Sequence, residues 1–112
     1  MEFIQLDIIP TGYNPLVYVS QNDNDRAVRA SLTENKTPYT LTGSEALTLH
    51  VETPDKNIIE YPLTNAGGSS IDFSIDPDIT AKAGKCYSKI IVDNGSQKLG
   101  FSGFYIVVEK AP

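Results

Sequence analysis

Alternation of apolar and polar side chains is the feature that most constrains this chain. Val28, Ala30 and Leu32 alternate with Arg29 and Ser31. Leu47, Leu49 and Val51 alternate with Thr48, His50 and Glu52, and Ile71, Phe73 and Ile75 with Asp72, Ser74 and Asp76. A period of two puts one set on one side of a pleated strand and scatters it around a helix. The three segments are therefore read as strands with one dry face. Phe3–Ile9 and Leu16–Val19 are short, apolar and β-branched, and read the same way.

The connections carry turn chemistry. Pro10-Thr11-Gly12-Tyr13-Asn14-Pro15, Thr53-Pro54-Asp55-Lys56-Asn57 and Asn65-Ala66-Gly67-Gly68-Ser69-Ser70 are rich in residues that break regular structure. Asp93-Asn94-Gly95 predicts a type I′ hairpin turn joining Cys86–Val92 to Lys98–Val108, because Asn-Gly tolerates positive φ at both central positions. Phe104, Ile106 and Val108 are assigned to the core face of that last strand. The core face of Cys86–Val92 stays open between Ser88-Ile90-Val92 and Tyr87-Ile91. One short helical turn is expected near 77–83, started by Pro77 or Asp78 and ended by Gly84. Seven or eight such strands predict an all-β, antiparallel, Ig-like β-sandwich forming a single domain over 1–112.

Composition narrows the function classes. The chain has 112 residues and a formal charge of −5, which disfavours nucleic-acid and anionic-membrane partners. No apolar run approaches the roughly 20 residues that span a bilayer as a helix. The single cysteine, Cys86, excludes an internal disulfide and any zinc site built on several cysteines. Glu2 and Asp7 near the start, with no basic stretch, do not match a signal peptide.

No chemistry-bearing constellation emerges, and no catalytic, cofactor or metal residue is assigned. His50 is the only histidine and falls on the polar face of its strand. Cys86 reads as a half-buried small apolar residue. Asp23-Asn24-Asp25 lacks the glycine a calcium loop would need at Val28, and reads as a turn. Asp76 and Asp78 read as helix-start residues. Gly67-Gly68 lacks the lysine of a phosphate loop. Asn35-Lys36-Thr37 and Asn94-Gly95-Ser96 match the glycosylation pattern, which has no force without a secretion signal. The six tyrosines suit either an interface or the rim of a sandwich core.

Ordered motifs along the chain resemble the N-terminal domain of phage baseplate upper proteins. Val19-Ser20-Gln21-Asn22-Asp23 with Arg26, then Val28-Arg29-Ala30-Ser31-Leu32-Thr33-Glu34-Asn35, is similar to that family's opening. Tyr39-Thr40-Leu41-Thr42-Gly43 resembles its L-T-G step, and Leu47–Asp55 resembles the strand ending in K-P-D-G, departing from it at Lys56-Asn57. Ile79-Thr80-Ala81-Lys82-Ala83-Gly84 and Phe104–Pro112 resemble the closing motifs. The resemblance covers residues 16–112 and leaves 1–15 as an N-terminal strand or arm.

The resemblance implies a structural adaptor without catalytic residues or cofactor, in the tail of a phage of Gram-positive bacteria. Its expected partners are baseplate or distal tail proteins, a receptor-binding protein and further copies of itself, with no nucleic acid and no membrane. It would fold in host cytoplasm and reside in the virion. The family usually continues past Glu109-Lys110-Ala111-Pro112, so a fragment or short version is expected. Two other readings compete with the adaptor. One is a carbohydrate-binding sandwich presenting Tyr13, Tyr39 and Tyr61; the other is an enzyme, which lacks an identifiable site.

Overall fold

The computed structural model describes residues 2–9, 14–24 and 26–111. Among these residues ten strands and one helical turn follow in order: β1 (Glu2–Asp7), β2 (Leu16–Ser20), β3 (Arg26–Glu34), β4 (Thr37–Pro38), β5 (Ala46–Glu52), β6 (Ile58–Leu63), β7 (Ser70–Ile75), α1 (Pro77–Thr80), β8 (Gly84–Asp93), β9 (Lys98–Gly100) and β10 (Phe104–Glu109). They form two layers. In sheet A, β3 is central, with β1 and β7 on either side and β4 as its hairpin partner. Sheet B runs β2-β10-β8-β5-β6, with β9 also paired to β8.

The alternating positions meet between the layers. Val28, Ala30, Leu32, Leu47, Leu49, Val51, Ile71, Phe73, Ile75, Ile106 and Val108 are all buried. The open question in β8 resolves to Cys86, Ser88, Ile90 and Val92 inside, with Tyr87, Lys89 and Ile91 outside. Ile4 and Leu6 of β1 join the core, and Ile8 packs against it.

The sandwich is mixed rather than purely antiparallel. β1 runs parallel to β3, and β2 parallel to β10. Alternation reads the same in either direction, so side-chain pattern cannot report strand polarity. Parallel neighbours need a long connection between them, and here that of β1 and β3 passes through β2 in the other sheet. The strand count is ten because β4 and β9 are only two and three residues long.

The turn chemistry falls differently from the expectation. Asn35 and Lys36 both have positive φ (51° and 69°) between the paired residues Glu34 and Thr37, as a type I′ turn requires. The Asn94-Gly95 hairpin instead has a four-residue loop between Asp93 and Lys98, with positive φ only at Gly95. The Asn94 side chain holds that loop by accepting from the backbone N–H of Ser96 and Gln97.

Beyond this hairpin, β8 pairs Ile91 with Gly100 and Ser88 with Phe104, three steps against four. The extra residue is a bulge, which lets both Phe101 and Phe104 point inward. The helical turn is only Pro77–Thr80; Asp76 caps it by accepting from the Asp78 N–H, while Gly84 opens β8 rather than closing the helix.

Candidate docking face

Cross-strand register defines the outer face of sheet B. One row reads Leu16–Tyr105–Tyr87–Glu52–Ile58 from edge to edge, and a second reads Tyr18–Val107–Lys85. An outer sheet face exposed to water ordinarily carries polar side chains. Here Leu16, Tyr18, Tyr87 and Ile58 are 45%, 51%, 38% and 57% exposed.

The aromatic residues are ordered by one another. The Tyr87 and Tyr105 rings meet edge-on with centroids 5.4 Å apart, and the Lys85 ammonium lies 5.4 Å from the Tyr105 ring centre. Both geometries suit the negative ring face and positive ring edge. Gly103 makes the close packing possible: a Cβ there would stand 2.2 Å from the Tyr87 hydroxyl. The outer face of sheet A differs. Its rows are Phe3–Arg29–Asp72 and Gln5–Ser31–Ser70, with a two-pronged Arg29–Asp72 ion pair (2.7 and 2.9 Å) and one exposed aromatic.

The residues singled out from sequence scatter over the molecule. His50 lies on the outer face of sheet B with Glu60 as its cross-strand neighbour, 3.9 Å away. Cys86 is fully buried, and burial, followed by the Asp55 carboxylate, pushes its thiol up to about 11. A thiol so placed is protonated and sheltered. Asp23 accepts from the Ser20 N–H at 3.0 Å and pairs with Arg26 at 3.3 Å, which is turn chemistry; Asp25 lies outside the described residues. Among the described residues, no three His, Cys, Asp or Glu side chains are grouped to hold a metal ion.

Three carboxylates secure loops. Asp7 accepts from the N–H groups of Lys36, Ile9 and Asn35 and from the Thr33 hydroxyl, which hold its carboxyl at about 2. It thereby ties the end of β1 to the β3–β4 turn. Glu45 accepts from the Thr42 and Gly43 N–H groups and from Asn65, and is likewise lowered to about 2. Asp55 is held at about 2 by Lys82 and then by the Thr53 hydroxyl.

Tyr39 and Tyr61 do not present open platforms. Tyr39 packs edge-on against Phe101, and Tyr61 packs against the core with its hydroxyl buried and without a hydrogen-bond partner. Tyr61 borders a cleft of about 340 Å³ between β6 and β7, together with Asp72, Ser74 and Asp76. Burial, then Asp76 and Asp78, raises its phenol to about 12. Tyr13 lies outside the described residues. The exposed tyrosines of sheet B were legible in one respect only: Leu16-Val17-Tyr18-Val19 and Phe104–Val108 are apolar on both faces of the strand.

Layering, register and the outward tyrosines define a mixed β-sandwich domain with one aromatic outer face. The chain belongs to the BppU N-terminal domain family, the baseplate upper proteins, which it matches over residues 2–112. It is therefore a structural domain of the phage tail baseplate, and the match takes in β1 as well as the segment whose motifs carry the resemblance. The N-terminal domain of ORF48 from phage TP901-1 has the same fold, with a TM-score of 0.78 at 18% identity over 97% of this chain and 98% of that one. No curated protein matches the chain.

Proposed function

We propose that residues 1–112 act as one non-enzymatic adaptor domain that docks the receptor-binding apparatus onto the baseplate core. The contact is made by the outer face of sheet B around Tyr87, Tyr105, Val107 and Lys85. The observation that carries this reading is the cross-strand row of partly exposed tyrosine and aliphatic side chains where a solvated face would be polar. Tyrosine at an interface buries its ring while its hydroxyl keeps a polar partner. Membership of a structural baseplate family supports protein partners: distal tail proteins, a receptor-binding protein and further copies in a symmetric tail organelle. The domain assembles in host cytoplasm and leaves in the virion. β1 serves the domain's own core rather than acting as a free arm.

Calorimetric titration against the distal tail protein of the same phage tests this. Tyr105→Asp combined with Lys85→Glu breaks the Tyr87–Tyr105 and Lys85–Tyr105 contacts and puts negative charge at the centre of the face; Arg29→Glu on sheet A is the control. The reading expects lost binding in the first variant and retained binding in the second, both folded by circular dichroism. Wild-type affinity in a folded Tyr105→Asp/Lys85→Glu variant would overturn it. Binding of a host cell-wall glycan that requires these residues, without protein binding, would replace it with the carbohydrate reading.

A further inference from the structure

Edge strands expose unpaired backbone groups, and native sheets guard them with charge, proline or irregularity. Three of the four long edge strands follow this rule. β1 carries Glu2 and Asp7, β6 carries Glu60 and Pro62, and β7 carries Asp72. β2, Leu-Val-Tyr-Val-Ser, carries neither a charge nor a proline.

The ladder with β10 fixes which of its groups are unmet. Tyr105 N–H donates to the Pro15 carbonyl at one end, and Gln21 N–H donates to the Glu109 carbonyl at the other. In a parallel ladder this phase turns the backbone groups of Val17 and Val19 toward β10 and those of Leu16, Tyr18 and Ser20 away from it. Ser20 is already satisfied: its N–H reaches the Asp23 carboxylate, and its carbonyl accepts from the Asp23 N–H. Among the described residues, Leu16 and Tyr18 each present a free N–H and a free carbonyl at the edge. The same two residues expose their side chains.

We propose that β2 pairs antiparallel with β2 of a second copy of this chain, about a two-fold axis at Val17. In that register Leu16 lies opposite Tyr18 of the second copy, and Tyr18 opposite its Leu16. Both are hydrogen-bonded pairs, so the four unmet groups of each edge are all satisfied. Each Leu16 packs on a tyrosine ring, a favourable cross-strand combination. Val17 faces Val17 on the core side, so inner and outer faces stay in phase across the join. The locally closed Ser20 ends the pairing. No other occupant is needed to complete this edge: its donors, acceptors and apolar side chains complement themselves under one symmetry operation. The inference concerns the sheet's edge and stands apart from docking through Tyr87 and Tyr105. The contact is smaller than a standard interface of about 1,600 Å², so the dimer forms at high concentration and dissociates on dilution.

Sedimentation of the whole chain over a concentration series, with amide hydrogen exchange at the two extremes, tests this. The wild-type chain should show a concentration-dependent monomer–dimer equilibrium. The Leu16 and Tyr18 amides should gain protection at high concentration, while Val17 and Val19 are protected throughout. Tyr18→Lys and, separately, Leu16→Lys should abolish the dimer, and Phe3→Lys on the other sheet should leave it intact. A wild-type chain that stays monomeric, a dimer in which the Leu16 and Tyr18 amides exchange freely, or a dimer that persists in a folded lysine variant would each overturn the proposal.

Discussion

Truncating Phe104 to alanine tests how the layers are joined. Phe104 is fully buried on β10, and its ring lies 6.2 Å from that of Phe73 on β7, tilted by 44°. The pair spans the gap between sheets B and A, so a cavity there is felt by both. A phenylalanine-to-alanine change at a site of this kind costs about 3–5 kcal/mol in lost transfer energy and unfilled volume. A chain of this length has roughly 6–17 kcal/mol in total at ordinary per-residue stability. With an unfolding entropy of about 2.1 cal/mol/K per residue, the loss lowers Tm by roughly 13–21 °C. Guanidinium unfolding followed by far-ultraviolet circular dichroism measures it, with an unchanged slope as the check on two-state behaviour. Phe73→Ala and the double variant complete a cycle, which should show a coupling of at least about 0.5 kcal/mol. Phe3→Ala, at a side chain 70% exposed on the outer face of sheet A, should stay within about 0.5 kcal/mol of wild type. A Phe104→Ala cost below about 1 kcal/mol would refute the assignment of Phe104 to the inter-sheet core.

Other consequences are as direct. Asp7, Glu45 and Asp55 sit at about 2 in the folded chain against ordinary values of 3.8, 4.5 and 3.8, so each adds stability that is fully present above the ordinary value. That stability is lost as pH falls through the window from about 4.5 to about 2, and Asp7→Asn should flatten the acid limb of a stability–pH curve. Cys86 should resist a thiol reagent such as dithionitrobenzoate in the native state and react stoichiometrically in denaturant; fast native labelling would contradict its burial. Tyr61→Phe removes a buried hydroxyl that has no partner, so stability by thermal melting should hold or rise by about 1 kcal/mol; a clear loss would mean that the hydroxyl is bonded.

The inward-facing half of the molecule was legible because burial enforces the period of two. Leu32, Leu49, Phe73 and Ile106 declare their side in any register that keeps one face dry. β8 was ambiguous because Tyr87 and Ile91 are apolar yet point outward, so both sides of the strand carry apolar side chains. Strand direction was not legible: the parallel pairs join β1 with β3 and β2 with β10, and the second pair is far apart in sequence. The type I′ turn at Asn35-Lys36 was missed because lysine is a poor left-handed residue. What holds it there is the Asp7 carboxylate, which reaches both N–H groups from 28 and 29 residues away. The aromatic face is a product of register, since Leu16, Tyr105 and Tyr87 become neighbours only once β2, β10 and β8 are aligned.

Hydroxyl-radical footprinting of the chain, free and assembled with its baseplate partners, bears most directly on docking through sheet B. The side chains to follow are Tyr87 and Tyr105 on that face and Phe3 on the opposite one. Docking through sheet B predicts that Tyr87 and Tyr105 lose reactivity on assembly while Phe3 keeps it. Protection of Phe3 with Tyr87 and Tyr105 unchanged would contradict the account and move the interface to sheet A.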